Sequence, residues 1–252
     1  MLLGTSTVAL AATVTGTGNA DQIVGTTSND DIRLLGGDDD ALGLAGDDLI
    51  LGGPGTDTIF GDGTCPPGQL AFLYCSTATS DGDGADRLDG QDGDDIIFGN
   101  GGDDLIDGGD GNDYLNGGRG DDTVKGEDDD DQIIGGAGDD KLYGGEDNDD
   151  LTADRGDDYL NGGDGDDNLK GESGNDRISG YDGQDRVSGG DGNDRLSGGS
   201  GRDEIRGGKG NDSIFASDGE FDVIVCGPGF DRVKADRLDK VAKDCEMVVR
   251  VR

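Results

Sequence analysis

Histidine and tryptophan are absent from this 252-residue chain, and proline and cysteine occur four times each. Without histidine there can be no Ser-His-Asp arrangement and no His-Glu-x-x-His zinc site. Aromatic residues make up 4% and hydrophobic residues 30% of the chain, too little apolar surface for the core of a conventional domain of this length. No stretch approaches the roughly 18 apolar residues of a membrane-spanning helix, so no membrane span is expected. Basic residues are scarce: 20 Lys and Arg stand against 58 Asp and Glu, a formal net charge of −38. Such a chain repels nucleic acid phosphates and anionic lipid surfaces and attracts cations. Metal ions head the list of ligands, and nucleic acid is not expected as a partner.

What is abundant is glycine, at 53 residues, together with aspartate. Composition alone would fit a disordered acidic polymer. Phase decides against it. Residues 81–215 fall without a gap into fifteen blocks of nine, with Asp at the sixth place of every block and Leu, Ile or Val at every eighth place, from Leu88 to Ile214. The first place is Gly except at Asp81 and Ala153, and the fourth except at Asp129 and Asp147. An earlier array in the same phase covers 16–60, with Asp21, Asp30, Asp39, Asp48 and Asp57 at the sixth place and Ile23, Ile32, Ala41, Ile50 and Ile59 at the eighth. Its irregular start is what a capped stack needs. Residues 61–80 break the period and read as a disulfide-closed insertion loop, with the main array resuming at Asp81.

One unit, GGDGNDYLN at 108–116, contains both a turn and a strand. Glycines at the first, second and fourth places permit positive φ and close backbone approach, and three residues with an aliphatic centre follow as a short strand. Two units close one coil of an all-β solenoid, with eighth-place residues pointing inward from two facing parallel sheets and strands stacked about 4.8 Å apart.

The pattern resembles the RTX (hemolysin-type) calcium-binding nonapeptide repeat family, whose consensus is GGxGxDxUx with U a large aliphatic residue. The resemblance covers about four fifths of the chain. It implies a right-handed parallel β-roll with Ca²⁺ held between a turn and the turn stacked on it two repeats later. Carried onto this sequence, the ligands would be the carboxylates of Asp39, Asp48, Asp57, Asp86, Asp95, Asp104, Asp113, Asp122, Asp131, Asp140, Asp149, Asp158, Asp167, Asp176, Asp185, Asp194, Asp203 and Asp212. Backbone carbonyls of turn glycines such as Gly108, Gly109 and Gly111 would join them. Hard oxygen donors suit Ca²⁺ far better than a thiophilic metal.

Calcium should also be part of the fold. One aliphatic side chain per nine residues cannot offset the entropy of ordering them. Stacking brings sixth-place carboxylates such as Asp104 and Asp122 within about 5 Å, where like charges repel. A divalent cation reverses that sign, so folding should be coupled to calcium. Turns lacking a glycine at the fourth place (Asp129, Asp147) or the second (Glu127, Asp154, Glu172, Tyr181) are expected to bind more weakly. Arg87, Arg177, Arg186 and Arg195, at the seventh place, read as charges that trim surface repulsion.

Residues 1–12 contain LLGTSTVALAA, an apolar run ending in small residues like an export signal, with an ordinary first strand as the alternative reading; the basic residues that usually precede such a run are missing, which suits a shortened start. The cysteines fall into two local pairs, Cys65 with Cys75 and Cys226 with Cys245, which suits two disulfides and an oxidising, extracellular compartment. Zinc is the weaker alternative, since neither pair forms a Cys-x-x-Cys knuckle. The family's type I secreted members usually lack cysteines, so Sec-type bacterial export is favoured here. Residues 216–252 read as a C-terminal cap. Asp231 and Val233 give one more near-repeat, and Met247, Val249 and Val251 alternate like a strand, while Leu238, Val241 and Cys245 also fit one helical face. No segment is left over for a catalytic domain, so no enzyme activity is expected. The function read from sequence is a secreted structural or surface-associated calcium module. The alternative is an adhesin-like protein that meets a partner through the roll surface or through the 61–80 loop, where Phe72, Leu73 and Tyr74 stand together.

Overall fold

The computed structural model describes residues 13–62 and 84–251. Every strand among them is short and parallel to its neighbours. The 25 strands alternate along the chain between a 13-stranded and a 12-stranded sheet, so that each strand pairs with the next but one. This is the right-handed parallel β-roll that the repeat implies, each crossover taking the usual hand.

The strand Tyr114–Arg119 shows why the sequence winds this way. Leu115 and Gly117 are buried while Tyr114, Asn116 and Gly118 are partly exposed, the period-two alternation of a strand. Sixth, eighth and first places therefore all face inward. Leu115 lies opposite Ile97 in the coil before and Ile133 in the coil after, so two nonapeptides close one coil. Repeated along the roll, this register stacks the eighth-place residues in two facing columns: Leu88, Ile106, Val124 and Leu142 on one sheet, Ile97, Leu115 and Ile133 on the other. Each of these is 0% exposed.

Positive φ at the second and fourth places reverses the chain between strands, 116° at Gly109 and 133° at Gly111. The departures from glycine in the main array keep the same conformation: Gln91 at 83°, Asn100 at 77°, Glu127 at 85°, Asp129 at 78°, Asp147 at 70°, Asp154 at 75°, Glu172 at 71° and Tyr181 at 86°. A residue with a β-carbon pays about 1 to 3 kcal/mol for that. The path of the chain dictates the conformation, and the residue conforms to it.

The break between the two arrays lies inside a single turn. Ile50 pairs with Leu88 and Ile59 with Ile97, bridging the insertion. Across it the Asp48 N–H reaches Asp86 Oδ1 at 2.7 Å, 38 residues on, where a regular turn such as that of Asp131 and Asp149 spans 18 residues. The strand Thr58–Asp62 extends to Asp62, and Gly61 borders the Asp86 carboxylate as Gly108 borders that of Asp113. The inward first place of this block is thus filled by Gly61. Asp81, Cys65, Cys75, the Phe72–Leu73–Tyr74 cluster and the export-like segment 1–12 lie outside the described residues.

At the other end the roll continues through the cap. The strands Val223–Val225 and Lys240–Val241 extend one sheet, and Arg232–Ala235 and Met247–Arg250 extend the other. A strand forms at Met247–Arg250 as the spacing of Met247, Val249 and Val251 suggested, but Val251 lies just beyond it and its residues are all exposed rather than alternating; no helix forms around Leu238. Cys226, at the inward first place, is bonded to Cys245 and ties the last coil to the stack.

Candidate metal centres along the turns

From Asp39 to Asp212 each sixth-place aspartate is at most 3% exposed. One carboxylate oxygen is used by the backbone. The Asp131 N–H donates to Asp149 Oδ1 at 2.9 Å, and the Asp149 N–H donates to Asp167 Oδ1 at 2.9 Å. The same bond joins Asp104 to Asp122 at 2.8 Å and Asp122 to Asp140 at 2.9 Å along the opposite edge. The other oxygen has no such role. Oδ2 of Asp149 is buried without a hydrogen-bond partner, as are those of Asp104, Asp113, Asp122 and Asp131.

A buried carboxylate oxygen with no donor is costly. Desolvation therefore pushes these groups upward: Asp104 to about 9, Asp131 and Asp140 to about 8, and Asp149 and Asp185 to about 7. The backbone N–H bond to Oδ1 pulls the other way and is outweighed.

The backbone adds more oxygens to the same place. In the stacked turns 144–149 and 162–167, a β-carbon on Gly144 would meet both Asp149 Oδ2 and the Gly162 carbonyl oxygen of the coil above. A β-carbon on Gly163 would meet the Gly145 carbonyl below, and one on Gly165 the Asp147 carbonyl. First-place carbonyls thus face the preceding coil, and second- and fourth-place carbonyls face the following one. Between two turns, three carbonyl oxygens and one unpartnered carboxylate oxygen border one gap that only glycine leaves open. Carbonyl oxygens keep a second lone pair even when they accept a ladder bond. Hard, oxygen-only donor sets of this kind fit Ca²⁺. Among the described residues no three acidic, thiol or imidazole side chains converge, so an ion here must draw largely on backbone.

Gly108, Gly109 and Gly111 occupy the equivalent first, second and fourth places of the 108–113 turn, where a β-carbon on Gly108 would meet Asp113 Oδ2 and stand 3.0 Å from the Gly126 carbonyl. Asp147 keeps its carbonyl directed as a glycine would, so substitution at the fourth place leaves this oxygen in position. The seventh place faces out. Asp150 pairs with Lys170 at 2.9 Å and is about half exposed, and Arg177 and Arg195 lie over the rings of Tyr159 and Phe215.

Two features escape the nonapeptide reading. The fifth place forms a second ladder, running opposite to the first: the Asp139 N–H donates to Asp121 Oδ1 at 2.8 Å, and Asn193 N–H to Asn175 Oδ1 at 3.0 Å. Its signal was present, since twelve of the fifteen blocks carry Asp or Asn there. In the cap, Asp239 and Glu246 take the sixth-place role, accepting from the N–H groups of Asp222 and Asp231 at 3.1 and 2.9 Å. The spacing had shortened from 18 to 17 and 15 residues, which hid them from a fixed period.

No curated protein matches the chain. The family described as the RTX calcium-binding nonapeptide repeat matches residues 15–48, 35–63, 80–115, 89–124, 107–142, 125–160, 161–196 and 188–220. These matches span both arrays, the same residues that build the stacked turns and the buried aspartate rows, and the chain belongs to the RTX calcium-binding nonapeptide repeat family.

Proposed function

We propose that the chain is an extracellular structural module whose roll is completed by calcium, with an ion held between the stacked turns of successive coils. In each gap the ligands are the inward sixth-place carboxylate and the glycine-turn carbonyls, in the manner of Asp149 with Gly145, Asp147 and Gly162. The observation that carries this reading is the row of buried Oδ2 atoms without partners. A fold does not keep so many uncompensated carboxylate oxygens in its interior unless something positive meets them. Protons can do so one at a time, whereas a divalent ion satisfies the carboxylate and the carbonyls around it together.

Ion binding is then folding free energy, and the calcium-free chain at neutral pH is expanded. The role is structural: the function of the bound ions is to make a stiff rod from a chain too polar to collapse alone. An oxidising compartment rich in calcium suits both the ions and the Cys226–Cys245 bond. Circular dichroism during a calcium titration tests the reading. Millimolar Ca²⁺ should convert a disordered spectrum into a β spectrum, and Mg²⁺ should do so poorly because it demands a smaller octahedral site. A chain equally β-rich in excess chelator at neutral pH would refute the coupling.

A further inference from the structure

The gap between turns 153–158 and 171–176 differs from its neighbours in three independent ways. Its inward first place is Ala153, fully buried, where the coils before and after have Gly135 and Gly171. One coil earlier, a β-carbon on Gly135 would stand 2.5 Å from Asp140 Oδ2 and 3.0 Å from the Ala153 carbonyl. At Ala153 that β-carbon is real and occupies the space where the oxygens converge.

The Asp158 carboxylate keeps the usual backbone bond, accepting from the Asp140 N–H at 2.8 Å, and its Oδ2 is buried without a partner as in the other turns. Asp158 Oδ1 lies 3.0 Å from the point where a β-carbon on Gly156 would stand. The same approach, at 3.1 Å, occurs at Gly229, whose turn carries Cys226 at the first place, but not at Gly37, whose turn carries Leu34 there. In turns with a first-place glycine, backbone or fifth-place atoms border that point instead. The third difference concerns a carbonyl. Asp154 holds the second place of this turn, and its oxygen accepts a hydrogen bond from Ser173 Oγ at 3.0 Å. The strand register breaks at the same spot: Asp150, Leu151, Thr152 and Arg155 keep partners in the next coil, whereas Asp154 has none there, unlike its counterpart Gly136, which pairs with Asp154.

We infer that this gap takes no calcium ion, and that Ala153 divides one edge of the roll into two separate columns of sites. This rests on the calcium reading above. The opposite edge has no such plug between Gly90 and Gly198, since Gly108, Gly126, Gly144, Gly162 and Gly180 all leave their gaps open. The two edges of one roll are therefore unequal: one a continuous series of sites, the other split near its middle by a methyl group and a hydroxyl. The remaining first-place side chains, Leu34, Ala216, Cys226 and Ala235, belong to the outer coils, where apolar contacts take over from ions.

The test is the number of calcium ions bound by the full-length protein, counted by native mass spectrometry and by calorimetric titration. Ala153→Gly supplies the residue that other turns use, and the variant should bind one ion more than the parent. Gly171→Ala, at a position outside the left-handed region, should bind one fewer. An unchanged ion count in Ala153→Gly, with the parent binding calcium normally, would overturn the inference and leave the calcium reading intact. A parent that binds no calcium would overturn both.

Discussion

The backbone N–H of Asp131 donates to Oδ1 of Asp149, one coil further on, at 2.9 Å, while Oδ2 of the same carboxylate is buried and accepts nothing. One oxygen thus fixes the stacking and the other is left for a cation. Asp149→Ala removes both. A hydrogen bond to a charged group contributes about 1.5 to 3 kcal/mol, so the folding constant at a fixed calcium level should fall tenfold or more and the calcium midpoint should rise. Asp150→Ala loses the pair with Lys170 and a bond from the Asn168 amide, both on the outward face, and should shift the midpoint little. Parallel calcium titrations of the two variants check this, and equal midpoints would mean that the sixth place does not define the sites.

Acid should substitute for calcium in part. Burial holds Asp149 at about 7, Asp131 at about 8 and Asp104 at about 9, whereas in the unfolded chain an aspartate titrates near 4. Across that interval the folded, ion-free roll binds more protons than the unfolded chain. Its stability is therefore fullest below about pH 4 and is lost as pH rises through 7 to 9. Circular dichroism in chelator should show β structure at pH 4 to 5 that disappears by pH 8. Calcium competes with the same protons, so binding near pH 7 should release protons and weaken on acidification. Calorimetry in buffers of different ionisation enthalpy reads that release.

The roll was legible in the sequence because its signals are strictly periodic. Asp at every sixth place and an aliphatic residue at every eighth fix which side chains face inward, and the structure pairs each strand with the next but one, as two units to a coil require. Sequence reasoning failed where the period did. Gly61 could not be joined to Asp86 because the insertion falls between the first and sixth places of one turn. Asp239 and Glu246 were hidden by shortened coils. The meaning of Ala153 was equally out of reach, since a first-place exception matters only once that place is known to face Oδ2 and a carbonyl of the next coil.

The Cys226–Cys245 bond closes a segment of 19 residues over the last coil. Linking such a loop restricts the unfolded chain by about 3 kcal/mol in the entropic account. Because a stack of coils is held by nearest-neighbour contacts, the loss on reduction should stay local. Hydrogen exchange in saturating calcium should show the strands Arg232–Ala235 and Met247–Arg250 losing protection after reduction, with Leu105–Asp110 and Lys141–Glu146 unchanged. Uniform loss along the whole roll would contradict a one-dimensional stack.

The two aspartate and asparagine ladders should separate by their dependence on calcium. Asn175 accepts from both the backbone N–H and the side-chain amide of Asn193 at 3.0 Å and donates its own amide to Asp157 Oδ1 at 2.9 Å, yet it is exposed. Its side chain joins coils without facing the gap between turns. Replacing it by Ala should therefore cost on the order of 1 to 3 kcal/mol of stability in the calcium-loaded protein, about 1 for each exposed hydrogen bond lost. The number of ions bound should not change. Asp176, one residue on, is buried, accepts from the Asp158 N–H at Oδ1 at 2.9 Å and keeps Oδ2 unpartnered, so Asp176→Ala should remove an ion as well as a bond. Thermal melts at saturating calcium combined with ion counting distinguish the two roles. A drop in ion number for Asn175→Ala would mean that the fifth-place ladder also belongs to the metal centres.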